Sequence, residues 1–384
     1  MKRGCVIGYD INEKGCQISY YDDSMEEPDT MMASSNNYLI PLVLGYFKDR
    51  WVFGKEAKRL AVVGEDCTET DLYGKAKRRE KVSLAGKTYD AVWLLAKYIS
   101  LTLQDFENIQ YLTFTTPETD VDMAKMLKGI GQHIGVDKEI INVQDYKESF
   151  CQYMIFQPKE LWQYESALFY CDEDRIKAYM LRRLRVDASH GMNSFVTVDE
   201  VANAQRKELE ALYPIMNKEK SPDESFKSMI ENVFEKKVIS SVYLTGEGFE
   251  KNWYPNSLRV LCNGRRAFMG NNLYIKGACY KSIRKCEPND DGPIYLDETK
   301  LTERICLRMR VDGQEGWYPL VTWGTHWYEA DGQWEVLLED ASDIEILVES
   351  LVDEEVQVEK VSLEGLPKRT DYSLRLQVEV MFLD

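Results

Sequence analysis

The chain opens on two short apolar runs separated by a polar break. Cys5 to Tyr9 is apolar and β-prone, Asn12 to Gly15 is turn-like, and Cys16 to Tyr21 resumes the β pattern, which predicts a hairpin. After the polar stretch from Asp22 to Asn37, two further β-like runs follow, Tyr38 to Phe47 and Arg50 to Gly54, joined by Lys48-Asp49. Lys55 to Ala61 then reads as helical.

Helical spacing is clearest from Tyr89 to Phe106, where Val92, Leu95, Ala96, Ile99 and Leu103 share one face. Ile109 to Phe114 reads as a buried strand ended by Pro117, and Val121 to Ile134 returns to helical spacing through Met123, Met126, Leu127 and Ile130. A strand-like run at Glu139 to Val143 precedes a helix from Tyr146 to Gln157. Strand, helix and strand in this order imply an α/β layer.

The opening pattern is then echoed. Ala167 to Cys171 and Ile176 to Leu181 flank the charged turn Asp172-Glu-Asp-Arg175, predicting a second hairpin. The polar region from Val198 to Lys237 reads as helical, and Val238 to Phe249 as a buried strand ending in glycines. From Ile294 the texture changes to β alternation, with Leu374, Leu376, Val378, Val380 and Phe382 on one face of the last strand. Asp312-Gly313 and Asp331-Gly332 supply turns, so an antiparallel sandwich-like domain is expected there. The pattern places one domain at 1–286, its second half beginning near 165, a linker in the Pro-Asn-Asp-Asp-Gly run, and the β-domain at 293–384.

Length and composition agree with this. At 384 residues, 44% hydrophobic and 29% charged, the chain is long enough for two or three domains with a sizeable core. Its net charge of −17 opposes a nucleic-acid backbone, so nucleic acid is not an expected partner. Apolar runs such as Ala91 to Ala96 are too short to cross a bilayer, and the start reaches Asp10 before a signal-peptide core could form. A cytoplasmic protein without membrane contact is expected. Nine scattered cysteines without a Cys-x-x-Cys pair suit packed thiols, and three isolated histidines give no metal-ligand spacing, so no metal site is expected. The basic run Lys75 to Lys81 reads as a solvated face, and the aromatics from Trp317 to Trp334 as core.

A resemblance emerges from the order of the motifs. Val6-Ile-Gly-Tyr-Asp10 before a hairpin resembles the first phosphate strand of the actin, DnaK-chaperone and sugar-kinase superfamily, which typically reads Ile-Gly-Ile-Asp-Leu-Gly-Thr-Thr. Ile40-Pro41, Val52-Phe-Gly-Lys-Glu-Ala57, Leu112-Thr-Phe-Thr-Thr-Pro117, Gly129 to Asp137 and Ile140-Ile-Asn142 are similar to successive DnaK-type segments. Val242-Tyr-Leu-Thr-Gly-Glu-Gly-Phe249 resembles the adenosine-motif strand, and Gly270 to Tyr280 the closing helix. The resemblance covers residues 1 to about 285. It implies a two-lobed actin/DnaK-like ATPase fold followed by a small antiparallel β-domain, with ATP or ADP and magnesium as the ligand.

The phosphate motifs depart from that pattern. Asp10 is kept, but the following small residues are replaced by Asn12-Glu13-Lys14, and the glycines of the second hairpin by the acidic triplet Asp172-Glu173-Asp174. Carboxylates about 4 Å from a phosphate cost roughly 1 kcal/mol each in water and several at a protein surface. By the resemblance, Asp10 and Asp145 are the candidate catalytic acids; Asn12, Lys14, Gly246, Gly248 and Gly277 are the candidate nucleotide contacts. The expected function is that of a DnaK-like pseudo-ATPase that binds or scaffolds a protein or peptide and needs no cofactor. The alternative is a chaperone-like MgATPase with a rearranged phosphate site; a sugar-kinase-like phosphotransferase ranks third.

Overall fold

A computed structural model describes residues 4–34, 37–63, 67–184, 194–205, 222–287, 292–339, 342–352, 356–367 and 373–381. They fall into two compact units, 1–182 with 198–290 and 183–197 with 291–384.

The larger unit begins with the hairpin β1 (Cys5–Ile11) and β2 (Gly15–Tyr21). Short strands follow: β3 (Asp29–Thr30), β4 (Ile40–Pro41), β5 (Leu44–Phe47), β6 (Arg50–Phe53), β7 (Thr68–Glu69), β8 (Lys81–Leu84) and β9 (Lys87–Asp90). Interleaved are the helices α1 (Gly54–Val63) and α2 (Leu72–Lys77). Next come α3 (Ala91–Thr102), β10 (Ile109–Thr116), α4 (Val121–His133), β11 (Ile141–Asp145) and α5 (Tyr146–Ile155). Asp90, Asp120 and Asp145 start α3, α4 and α5 by accepting backbone amides of the first turn. The first helix expected from Tyr89 therefore begins two residues later, because β9 takes Tyr89 and Asp90 caps.

The second half of this unit repeats the plan with β12 (Glu165–Cys171), β13 (Arg175–Leu184), β14 (Phe195–Gln205), α6 (Pro222–Phe234), β15 (Ile239–Thr245), α7 (Pro255–Leu261), β16 (Arg266–Met269) and α8 (Leu273–Cys286). The first sheet has the order β11-β10-β1-β2-β3, and the second contains the run β16-β15-β12-β13-β14. In each, the first hairpin strand pairs antiparallel with its partner and parallel with the strand on its other side. The registers correspond as well. Asp10 opposite Thr115 stands where Tyr170 stands opposite Thr245, and the irregularity between Cys5 and Val6 recurs between Glu165 and Ser166.

The helix α8 packs back onto the first sheet. A Cβ on Gly277 would lie 1.9 Å from Ser149 O on α5, and one on Gly8 would lie 2.5 Å from Cys279 N, so bare backbone is what permits both approaches. Ser282 Oγ meets Thr113 Oγ1 at 2.7 Å and donates to Ile7 O at 3.0 Å. Ile7, Tyr9, Ile11, Leu112 and Phe114 alternate with Gly8 and Thr113 along the strands and are fully buried on the opposite face of the sheet.

A strand replaces part of one expected helix. Residues Phe195–Gln205 form a strand that takes the first eight residues of the region expected as helix from Val198, since Val196, Thr197, Val198 and Val201 are β-branched and the polar residues between them take the more open positions. The helical part of that region is Pro222–Phe234, and 206–221 lie outside the described residues. The basic run around Lys75 is a solvated face that carries surface ion pairs: Lys77, Arg78, Arg79 and Lys81 are exposed, Lys75 reaches Glu69 at 2.8 Å, and Arg78 reaches Asp71 at 3.1 Å and Glu80 at 2.5 Å.

The smaller unit is an antiparallel sheet region. After β17 (Ile294–Tyr295) come β18 (Glu303–Val311), β19 (Gln314–Val321), β20 (Gly332–Glu339), β21 (Asp343–Ser350), β22 (Val356–Ser362) and β23 (Ser373–Val380). They form a four-stranded sheet β19-β18-β21-β22 and a two-stranded sheet β20-β23. The unit also takes the start of β14, because Phe195 and Val196 pair with Ile294 and Tyr295, and Phe195 packs with Leu296 and Trp323. Of the aromatics expected as core, Trp323 is buried, whereas Trp317, Tyr318 and Trp327 are exposed. His326 is held by Lys300 Nζ at 2.8 Å and Thr299 Oγ1 at 2.9 Å, a structural use of that side chain. The linker run 288–291 and Phe382 lie outside the described residues.

Candidate functional site

The two hairpin tips of the larger unit are built alike. In the first, Asn12 Oδ1 accepts from the amides of Lys14 at 2.9 Å and Gly15 at 3.3 Å. In the second, Asp172 Oδ1 accepts from the amides of Asp174 and Arg175, both at 2.8 Å. Each turn thus satisfies its own N–H groups with the side chain that opens it. A phosphate-binding turn needs those amides free.

Beside the tips lies a cavity of about 470 Å³, lined by residues that include Asp10, Asn12, Lys14, Tyr146, Gly246 and Tyr274. Asp10 comes from the end of β1 and is only 3% exposed. Its Oδ1 accepts from the Tyr146 hydroxyl at 2.8 Å, and Tyr146 in turn accepts from Asn12 Nδ2 at 3.0 Å. Burial pushes the Asp10 carboxyl up to about 7, against the pull of the Tyr146 hydrogen bond. Burial, and then the nearby Asp10 charge, push the Tyr146 phenol well above its usual range, so its proton stays on as the donor.

Tyr146 stands at the first position of α5 and Tyr274 in the first turn of α8. Their rings stack with centroids 3.9 Å apart and planes 9° from parallel, and Tyr170 on β12 comes within 6.5 Å of Tyr274. Aromatic side chains therefore run from Asp10 at the first hairpin to Tyr170 at the second. At the start of α5 it is Asp145 that takes a first-turn amide, while the first turn of α8 carries Tyr274.

The remaining candidate residues separate into two groups. Lys14 lines the cavity and forms an ion pair with Glu247; burial alone would lower its ammonium, and Glu247 outweighs this to raise it. Gly246 also lines it, at φ +99°, where an added Cβ would lie 2.1 Å from Cys171 O; its amide donates to Asn271 Oδ1 at 3.0 Å. Gly248 does not line it, being packed where a Cβ would lie 2.3 Å from Cys171 Sγ. Gly277 sits at the crossing of α5 and α8, and Asp145 caps α5 by accepting from Glu148 N at 2.8 Å. The structure brings Asp10, Asn12, Lys14 and Gly246 together and gives Gly248, Gly277 and Asp145 architectural work.

Sequence reasoning missed Tyr146, Tyr170 and Tyr274. Under the resemblance, Tyr170 could have been noticed as standing where the second phosphate hairpin ordinarily has an aspartate. The stacking partners carry no motif, because their meeting depends on two helices distant in sequence.

A magnesium nucleotide fits this set poorly. The turn amides are consumed, the buried aspartate is bonded to a phenol, the cavity's lysine is held by a carboxylate, and aromatic rings occupy the span between the hairpins. Among the described residues no group of three His, Cys, Asp or Glu side chains is arranged to hold a metal, and no helix is long and apolar enough to cross a membrane.

Residues 27–298 match a family described as family of unknown function (DUF5716), C-terminal. The chain belongs to this family. The matched span starts after the first hairpin and so includes Tyr146, Tyr170, Gly246 and Tyr274 but not Asp10, Asn12 or Lys14. Residues 300–384 match a domain of unknown function (DUF8552). Comparison with curated proteins returns no match.

Proposed function

We propose that the larger unit is a two-lobed actin/DnaK-like domain that has given up ATP turnover, and that the chain serves in the cytoplasm as a protein-binding or scaffolding module. The duplicated sheet order, with matching hairpin registers and matching irregularities, supports the fold. The bridge from Asp10 through Tyr146 and Tyr274 to Tyr170 is the observation that carries the loss of turnover. A reaction at a γ-phosphate needs donors and cations aimed at the charge that develops there. This cleft offers a phenol-capped carboxyl, a paired lysine and self-satisfied turns.

A fold that keeps its architecture while its chemistry is blocked is suited to presenting surfaces, which is the basis for the scaffolding reading. The test is ATP hydrolysis by the native chain and by Asp10→Ala. Equal background rates are expected. A rate in the native chain that Asp10→Ala abolishes contradicts the proposal and favours a chaperone-like MgATPase using Asp10, Lys14, Asp145 and Gly246.

A further inference from the structure

The cavity beside the hairpins offers acceptors in excess of donors. Its walls include Asp10, Glu247 and Glu250 against a single cationic side chain, Lys14. That lysine is already engaged with Glu247. Asp10 spends Oδ1 on Tyr146 and is almost wholly buried. Gln17 donates through Nε2 to Asn271 O at 3.1 Å and leaves Oε1 buried without a partner. That unmet atom is an acceptor, and its side chain lines the same space as Asp10.

The other walls are aromatic. Tyr38, Tyr170 and Tyr274 line the cavity with the carboxylates. Rings with a negative face and buried carboxylate oxygens both favour a positive group carrying N–H donors. A polyphosphate would meet repulsion from the same carboxylates, and a neutral polyol would leave their charge unanswered. The Lys14 ammonium on Glu247 is an instance of the favoured pairing within the chain itself.

We propose that this cavity binds an organic cation, a guanidinium or alkylammonium group. The inference rests on the reading of the cleft as one that has lost its phosphate chemistry, and it names what that cleft accepts instead. Two sources share the chemistry: a free amine or guanidine, and an arginine or lysine side chain presented by a protein partner.

The experiment is calorimetric titration of the full chain at pH 8 with agmatine, spermidine, the blocked peptide acetyl-Gly-Gly-Arg-Gly-Gly-amide, and its citrulline counterpart, which keeps the shape and loses the charge. The guanidinium probes should bind, the citrulline peptide at least about tenfold more weakly, and Asp10→Asn and Glu250→Gln should each weaken binding several-fold. Tighter binding of the peptide than of agmatine assigns the site to a partner's side chain, and the reverse assigns it to a small free cation; either supports the proposal. Equal binding of the arginine and citrulline peptides, or no binding of any cation, overturns it, and Glu250→Gln decides should Asp10→Asn fail to fold. A parallel titration with MgATP separates the two levels: binding there contradicts the reading of the cleft itself, whereas silence from both MgATP and the cations overturns only the cation site.

Discussion

The ring of Tyr146 lies against the ring of Tyr274, 3.9 Å between centroids, while the Tyr146 hydroxyl donates to Asp10 at 2.8 Å. One side chain thereby ties the carboxylate of the first hairpin to the start of the last helix of the larger unit. On the proposed actin/DnaK-like reading, that line would cross the space reserved for phosphates, and the stack would put packing in place of ligand binding.

Removing the hydroxyl alone should be costly. Tyr146→Phe keeps the stack but leaves Asp10 Oδ1 without its donor and Asn12 Nδ2 without its acceptor, with an expected loss of about 1–3 kcal/mol. Tyr274→Ala removes the ring and should cost about 3–5 kcal/mol. Urea denaturation measures both, and a Tyr146→Phe chain as stable as the native one contradicts the assigned bond.

Two glycines should respond in opposite directions. Gly277→Ala drives a methyl to 1.9 Å from Ser149 O, so either α5 or α8 must shift, at an expected cost of at least about 3 kcal/mol. Gly129→Ala lies on α4 with nothing within 4 Å of the added methyl, and should stabilise the chain by about 0.5–1 kcal/mol. Thermal melts of the two variants side by side test whether Gly277 serves helix packing, as described, rather than the cavity.

Asp10 gives a pH signature. Folding raises its carboxyl from 3.8 to about 7, so between those values the folded chain holds a proton that the unfolded chain has released. This contribution to stability is full below pH 3.8 and is lost as pH rises through about 7, roughly 4 kcal/mol in all. Asp10→Asn, which still accepts from Tyr146, should flatten the stability profile between pH 5 and pH 8 and match or exceed the native chain at the upper end. A native profile and a variant profile with the same slope over that range would show that Asp10 is not the group responsible.

Much of the architecture is legible in the sequence because its signals are local. The first hairpin follows from Asn12 to Gly15 breaking two apolar runs, and α4 from the helical spacing of Met123, Met126, Leu127 and Ile130. Phe195–Gln205 misleads because its Asp199, Glu200, Asn203 and Gln205 resemble a polar helix, while the β-branched residues among them set the conformation. At the site, Asp10, Asn12, Lys14 and Gly246 are readable from motif position, and the cavity gathers all four. The tyrosine bridge is not readable, since Tyr146 and Tyr274 meet only once Gly277 allows α8 to cross α5 at Ser149. The Asx bonds that consume the turn amides are equally hidden, because Asn12 and Asp172 look like ordinary turn residues in sequence.

The most direct test of the account is the melting temperature of the full chain with and without millimolar MgATP or MgADP. A ligand that prefers the folded state stabilises it by RT ln(1 + [L]/Kd), about 2.7 kcal/mol at a hundredfold excess over Kd. With the span between the hairpins occupied by Tyr146 and Tyr274, the expected result is no shift with either nucleotide. An upward shift with MgATP that disappears in Asp10→Ala would contradict the account and make the cleft a nucleotide site.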